Sequence, residues 1–322
     1  MAVSVDGQQG PAYDLVMGVM FSRETFSRDG KRSAYVAMKG RNWLVVVDGH
    51  EGPAYDGVHG VTFSLNGKHL AYAAKRGRTQ LVVLDGQEGP AYDEIGSITF
   101  NVDGKSVAYT ALKGEKWLVV VDGQEGPGYD RTVNVMFSPD GKRMAYSAMK
   151  GRNWLVVVDG QEGSAYDIVL RVMFSSDGKR LAYFATRGRS QFVVADGQEG
   201  PAYDGILLLF SSLSSPDGKR LAYAATKGRD HIVVVDGHEG PAYFRTSSPV
   251  FSHDGKRVAY IAQKGRKDVA VVDGVEGPEY DRINEDALAF SPDGTHVAYT
   301  AKNHNVAEIV ANNKIDSLLR RR

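Results

Sequence analysis

RTVNVMFSPDGKRMAYSAMKGRNWLVVVDGQEGSAYD, residues Arg131 to Asp167, decides how this chain is built. TVNVMF ends on Phe137 and predicts a first strand, a. Pro139 fixes φ at the corner of SPDG, and Gly141 supplies the positive φ needed to leave it. KRMAYSAMK predicts strand b, with Met144, Tyr146 and Ala148 facing one way and Ala145, Ser147 and Met149 the other. After KGRN turns the chain, the β-branched run WLVVVD predicts strand c, buried on both faces. DGQEG predicts a second tight turn, and SAYD a short outer strand d. Other copies place Pro53, Pro90, Pro127 or Pro201 there, which an edge strand tolerates because no ladder bond needs that N–H.

The unit recurs. The Gly of the VDG step falls at Gly7, Gly49, Gly86, Gly123, Gly160, Gly197, Gly237 and Gly274, mostly 37 residues apart. The Gly of the SPDG turn follows the same period from Gly30 to Gly294. Four antiparallel strands at this period predict a β-propeller blade, which buries its faces only against neighbouring blades. Eight strands a, from the one ending at Phe21 to the one ending at Phe290, predict an all-β, eight-bladed propeller of four-stranded antiparallel blades. It would be one domain over residues 1–313, followed by a tail, 314–322. The first PAYD (Pro11–Asp14) precedes any strand a, and the worn strand c at Ala307–Asn312 has no PAYD after it. The amino-terminal strand is therefore expected to complete the last blade and close the ring. A degenerate strand in Asn313–Leu319 is the alternative.

Lys plus Arg and Asp plus Glu each total 39, so net charge is zero, which argues against selection mainly for nucleic acid or membrane affinity. There is no cysteine, hence no disulfide or thiolate metal site. No run of about 18 apolar residues predicts a membrane span. The start, MAVSVDGQQG, does not read as a signal peptide. The expectation is a monomer without membrane insertion and without a cofactor; the compartment stays open.

FSPDGKRMAYSA and its copies, each followed by a VVVDG strand, resemble the PD40, or WD40-like, repeat of TolB-type propellers. The resemblance implies a bacterial propeller whose faces bind proteins or gate access. This chain departs from the related peptidases: it has no catalytic α/β domain and no G-x-S-x-G elbow. The amino-terminal α/β domain of TolB is also missing. What the resemblance implies is a non-catalytic platform for another protein or peptide.

Residues shared by every copy are expected to hold the blade, the Asp of VDG and of SPDG as turn formers. DGxEG offers too few carboxylates for a calcium site, and the eight histidines share no spacing. The b–c loops carry Arg41, Arg78, Lys116, Arg152, Arg189, Arg229 and Arg266 at the same end as the Asp of PAYD. Exposed ion pairs between the two motifs are expected, each worth under about 1 kcal/mol. The competing reading is a basic rim that collects an anionic ligand or partner. The opposite end, with the DGxEG turns, should be more acidic. Trp43, Trp117 and Trp154 enter strand c at a position held elsewhere by Gln80, Gln191, His231 and Asp268, and could stack on glycans or peptide side chains. Repeats disagree most at the start of strand a, where His59, Asn134, Arg171 and Asp286 would ring a channel mouth unevenly. Two insertions, Ser22–Ser27 and Ser211–Ser215, break the pattern at the other end. An enzyme using His59, Arg171 and Asp286 is the third reading. Against it, the repeats starting at Val119 and Val156 match at 23 of 37 positions, which leaves few positions for evolved catalysis.

Overall fold

The computed structural model describes residues 2–5, 8–17, 26–207, 214–303, 306–311 and 314–315. Phe21, Phe210, Gly7, Gly18, His304 and most of both insertions lie outside them. The chain forms two compact units, Met1–Ala165 with blades 1 to 4 and Tyr166–Arg322 with blades 5 to 8.

Eight antiparallel sheets follow one another in the order a-b-c-d. In blade 4 these strands are Arg131–Phe137, Met144–Lys150, Asn153–Val158 and Gln161–Glu162. Strands b and c are buried, as the alternating small residues and the Val run predict. The c–d turn is tighter than the sequence suggests. Asp159 (φ 50°) and Gly160 (φ 80°) alone make it, a two-residue type I′ hairpin that matches the twist of the strands. Strand d therefore starts at Gln161, not at SAYD. PAYD is its far end: in blade 3 Tyr129 bridges back to Trp117, and in blade 2 the strand runs unbroken over Gln87–Tyr92.

The fourth strand of the last blade is not the amino-terminal one expected. It is Lys314–Ile315, within the Asn313–Leu319 segment that the sequence offered as the alternative, paired with Val310 and Ala311. The amino-terminal segment Ala2–Val5 pairs instead with Gln8–Ala12. A second PAYD-like sequence is thus not needed for a fourth strand; two residues of extended backbone beside strand c suffice.

The shared residues join consecutive blades. Tyr129, at the end of strand d in blade 3, packs edge-on against Tyr146 in strand b of blade 4, with centroids 6.1 Å apart and planes at 70°. Its hydroxyl donates to Glu162 Oε1 at 2.9 Å, and Lys150 Nζ lies 3.0 Å from the same carboxylate. The tyrosine pair recurs seven more times, from Tyr13–Tyr35 to Tyr280–Tyr299.

At the other end, the SPDG Asp is held locally: Asp217 Oδ1 accepts from Ser215 Oγ at 2.6 Å and from the Lys219 amide at 3.2 Å. Gly255 of the next blade presses against that Asp. The Arg of DGKR completes the joint. Arg220 Nε reaches Asp236 at 2.8 Å, its other arm donates to the Lys256 carbonyl, and its guanidinium lies over Phe251.

These joints give the stability a pH window. The Lys150 ammonium and the Tyr129 hydroxyl hold Glu162 below its ordinary 4.5. The Ser252 hydroxyl and the Lys256 amide hold Asp254 at about 2 instead of 3.8. A carboxylate with a lowered folded pKa contributes stability above its unfolded value and loses that contribution as pH falls through the folded one. Burial raises the tyrosines above 10, so their contribution is present below that value and lost as pH rises beyond it. Tm should be level between pH 5 and 9 and fall both below 4.5 and above 10. A calorimetric pH series checks this; a Tm unchanged at pH 3 would contradict the carboxylate joints.

Candidate binding site

The b–c hairpins are where the repeat presents side chains that the blade does not use. In blade 4, Lys150 pairs with Asn153 and the loop is only Gly151-Arg152. Gly151 has φ 67° and Arg152 does not share it, so the turn is type II′, with Gly required at its first position. The Gly151 N–H points away from the ladder and donates to Asp130 Oδ2 at 2.6 Å. Asp14, Asp56, Asp93, Asp167 and Asp204 hold Gly40, Gly77, Gly114, Gly188 and Gly228 in the same way.

This corrects the expected ion pairs. The Asp of PAYD chiefly caps a backbone N–H of the hairpin; among the described residues only Lys116–Asp130 and Lys267–Asp281, each 2.6 Å, are ion pairs of the expected kind. The Lys or Arg that ends strand b pairs with the Glu of DGxEG in its own blade: Lys39–Glu51, Arg76–Glu88, Lys113–Glu125, Lys150–Glu162, Arg187–Glu199, Lys227–Glu239 and Lys264–Glu276. Those glutamates were expected to make the opposite end acidic; they are neutralised instead.

What remains is sharply defined. Arg41, Arg78, Arg152, Arg189, Arg229 and Arg266 are exposed at the hairpin tips. Among the described residues none of the six makes a hydrogen bond or ion pair. Lys116 is exposed but engaged with Asp130. Three of the free guanidiniums lie in the first unit and three in the second.

Trp43, Trp117 and Trp154 are half-buried at the start of strand c. Their counterparts show what the position does. Gln80 Oε1 accepts from the Ile95 amide at 3.0 Å, Gln191 Oε1 from Ile206 at 2.7 Å and Asp268 Oδ2 from Ile283 at 2.9 Å, each tying strand c to strand a of the next blade. Indole has no acceptor, so the Trp copies cannot make that bond. His231 fills the slot with an Nδ1 that is buried and has no partner.

The variable position in strand a has a backbone cause. Gly60 (φ 63°), Asn134 (φ 57°) and Arg171 (φ 49°) are left-handed residues in a β-bulge that shifts the pairing with strand b. His59 beside Gly60 is exposed, with Nε2 3.1 Å from Gln80 Oε1. Asn134 and Arg171 are exposed as well. In blade 8 two extra residues turn the bulge into a short 3-10 segment, Glu285–Ala287, which carries the exposed Asp286. His59 and Asn134 belong to the first unit, Arg171 and Asp286 to the second.

A small polar cavity was not legible in the sequence. It lies in the second unit among Arg245, Thr246, Gln263, Asp268, Arg282 and Glu285. The signal that could have found it is the run PAYFRTSSPVF (Pro241–Phe251), which abandons the Asp of PAYD and puts Pro249 inside strand a.

Comparison with known proteins finds no matching family model and no matching curated protein. Among solved structures, the chain is similar to a eukaryotic initiation factor at 12% identity and TM-score 0.42, covering 90% of this chain and 87% of that one. It is similar to TolB from Acinetobacter baumannii at 17% identity and TM-score 0.33, covering 76% and 62%. It is also similar to the β-propeller domain of the Trilobed protease from Pyrococcus furiosus at 13% and 0.37, covering 89% and 94%. Likenesses this distant say nothing of what the chain binds. The blade assignment rests on the sheet order and register above.

Proposed function

We propose that the protein is a non-catalytic binding platform for an acidic protein or peptide, recognised through the b–c hairpin tips. The observation that carries the reading is the division of charge. The Lys or Arg that ends strand b and the Arg of DGKR are tied to carboxylates, while among the described residues the tip arginines are exposed and unpartnered on two-residue turns, five of the six capped by the Asp of PAYD. A guanidinium on a rigid turn meets a carboxylate bidentately with little ordering cost. The half-buried Trp43, Trp117 and Trp154 stand close by in sequence and offer apolar surface. Glycan or polyanion binding through the same arginines is the second reading; it predicts strong dependence on salt and indifference to protein sequence.

The test is capture of partners at low and moderate salt by the wild-type chain and by the Arg152→Ser/Arg189→Ser/Arg229→Ser variant. The platform reading expects a discrete protein retained by wild type at both salts and lost from the variant. Retention of nucleic acid or other polyanions at low salt alone would replace it with the second reading.

A further inference from the structure

Among the described residues, the repeats depart from their common pattern where blades 7 and 8 meet. Phe244 stands in the place of the capping Asp and is 70% exposed. No side chain among the described residues accepts from the Gly265 N–H, the group that Asp would hold. Strand a of blade 7 is split into Arg245–Thr246 and Val250–Phe251, and that of blade 8 into Arg282–Ile283 and Ala289–Phe290. The cavity between these interrupted strands holds about 30 Å³, room for one or two water-sized groups.

Its hydrogen-bonding capacity is uneven. Arg245 lies 3.2 Å from Glu285, so both are engaged. One oxygen of Asp268 accepts from the Ile283 amide. Thr246 is only 3% exposed and its Oγ1 has no partner, against the rule that buried hydroxyls are satisfied. The side chain of Arg282 is exposed and among the described residues makes no hydrogen bond or ion pair. The spare groups are thus a buried hydroxyl and a guanidinium, both able to donate to one small anion. Replacing Asp by Phe244 also removes a negative charge that the other copies keep, and leaves an apolar ring two residues from Thr246.

We propose that this pocket takes a carboxylate of an acidic peptide, with Thr246 Oγ1 and Arg282 as donors and Phe244 packing against the neighbouring apolar side chain. The proposal rests on the platform reading and names the chemistry of one anchor point. Room for one or two water-sized groups matches the two oxygens of a carboxylate.

The experiment uses the full chain with labelled threonine methyls. It is titrated with N-acetyl-Asp-Leu-amide, N-acetyl-Asn-Leu-amide and sodium acetate. The aspartyl peptide should shift the Thr246 methyl and bind at least tenfold more tightly than the asparaginyl peptide. Thr246→Val and Arg282→Gln should each weaken it at least fivefold without lowering Tm, because the hydroxyl has no structural partner to lose. Phe244→Ser should weaken the peptide and leave acetate unchanged. Equal affinity for the two peptides, or full affinity in Thr246→Val, overturns the proposal. Acetate binding as tightly as the peptide overturns its peptide source. The Arg152→Ser/Arg189→Ser/Arg229→Ser chain is titrated in parallel: peptide binding that survives there while partner capture fails separates this pocket from the hairpin tips.

Discussion

Tyr129→Ala should lower stability by about 3–5 kcal/mol, the cost of deleting a large buried aromatic. Tyr129 is 1% exposed and joins two blades through one ring and one hydroxyl. Tyr129→Phe separates these parts. It keeps the edge-on contact with Tyr146 and removes only the bond to Glu162, worth about 1–2 kcal/mol with a charged acceptor. Urea unfolding of the three chains measures both steps. Similar losses in Phe and Ala variants would mean that the hydroxyl, not the ring, holds the blades together.

Gly255→Ala should cost about 3 kcal/mol, against about 1 kcal/mol for Gly237→Ala. Both glycines have positive φ, 73° and 81°. They differ in what a methyl would meet. At Gly237 nothing lies within 4 Å, so only the left-handed backbone is penalised. At Gly255 the methyl would sit 2.6 Å from Asp217 Oδ1 and 3.2 Å from Ser215 Cβ. Asp217 cannot retreat without giving up Ser215 Oγ and the Lys219 amide. Equal losses at the two sites would show that the blades do not press together there.

The blade was readable because its causes are local and repeated eight times. Pro139 and Gly141 mark a corner, Met144 to Met149 alternate, and the Val run marks strand c, so a period-2 pattern between turn residues was enough. The exact hairpins were not: Asp-Gly favours a two-residue type I′ turn, but Gln161 and Glu162 have no strong strand preference, so DGQEG reads as one longer turn. Of the two segments the sequence offered for the last blade's fourth strand, the preferred one does not fill it, for a related reason. Sequence similarity favoured the intact PAYD at Pro11–Asp14, whereas the fourth strand of the last blade is Lys314–Ile315, whose pairing needs backbone and no motif. At the candidate site, the residue types were legible and their partners were not. Lys150 and Arg152 look equivalent in KGR. Residues on alternate sides of a two-residue turn face differently, and only Lys150 reaches Glu162.

The most direct measurement compares two triple variants for both Tm and partner capture. One is Arg152→Ser/Arg189→Ser/Arg229→Ser, at the hairpin tips. The other is Arg143→Ser/Arg180→Ser/Arg220→Ser, where each arginine pairs with the Asp of its own VDG turn at 2.8 Å. The first should keep its Tm and lose the partner; the second should lose several degrees of Tm and keep the partner while folded. If the tip variant loses Tm, or holds its partner as tightly as wild type, the division of charge between building blades and binding partners is wrong.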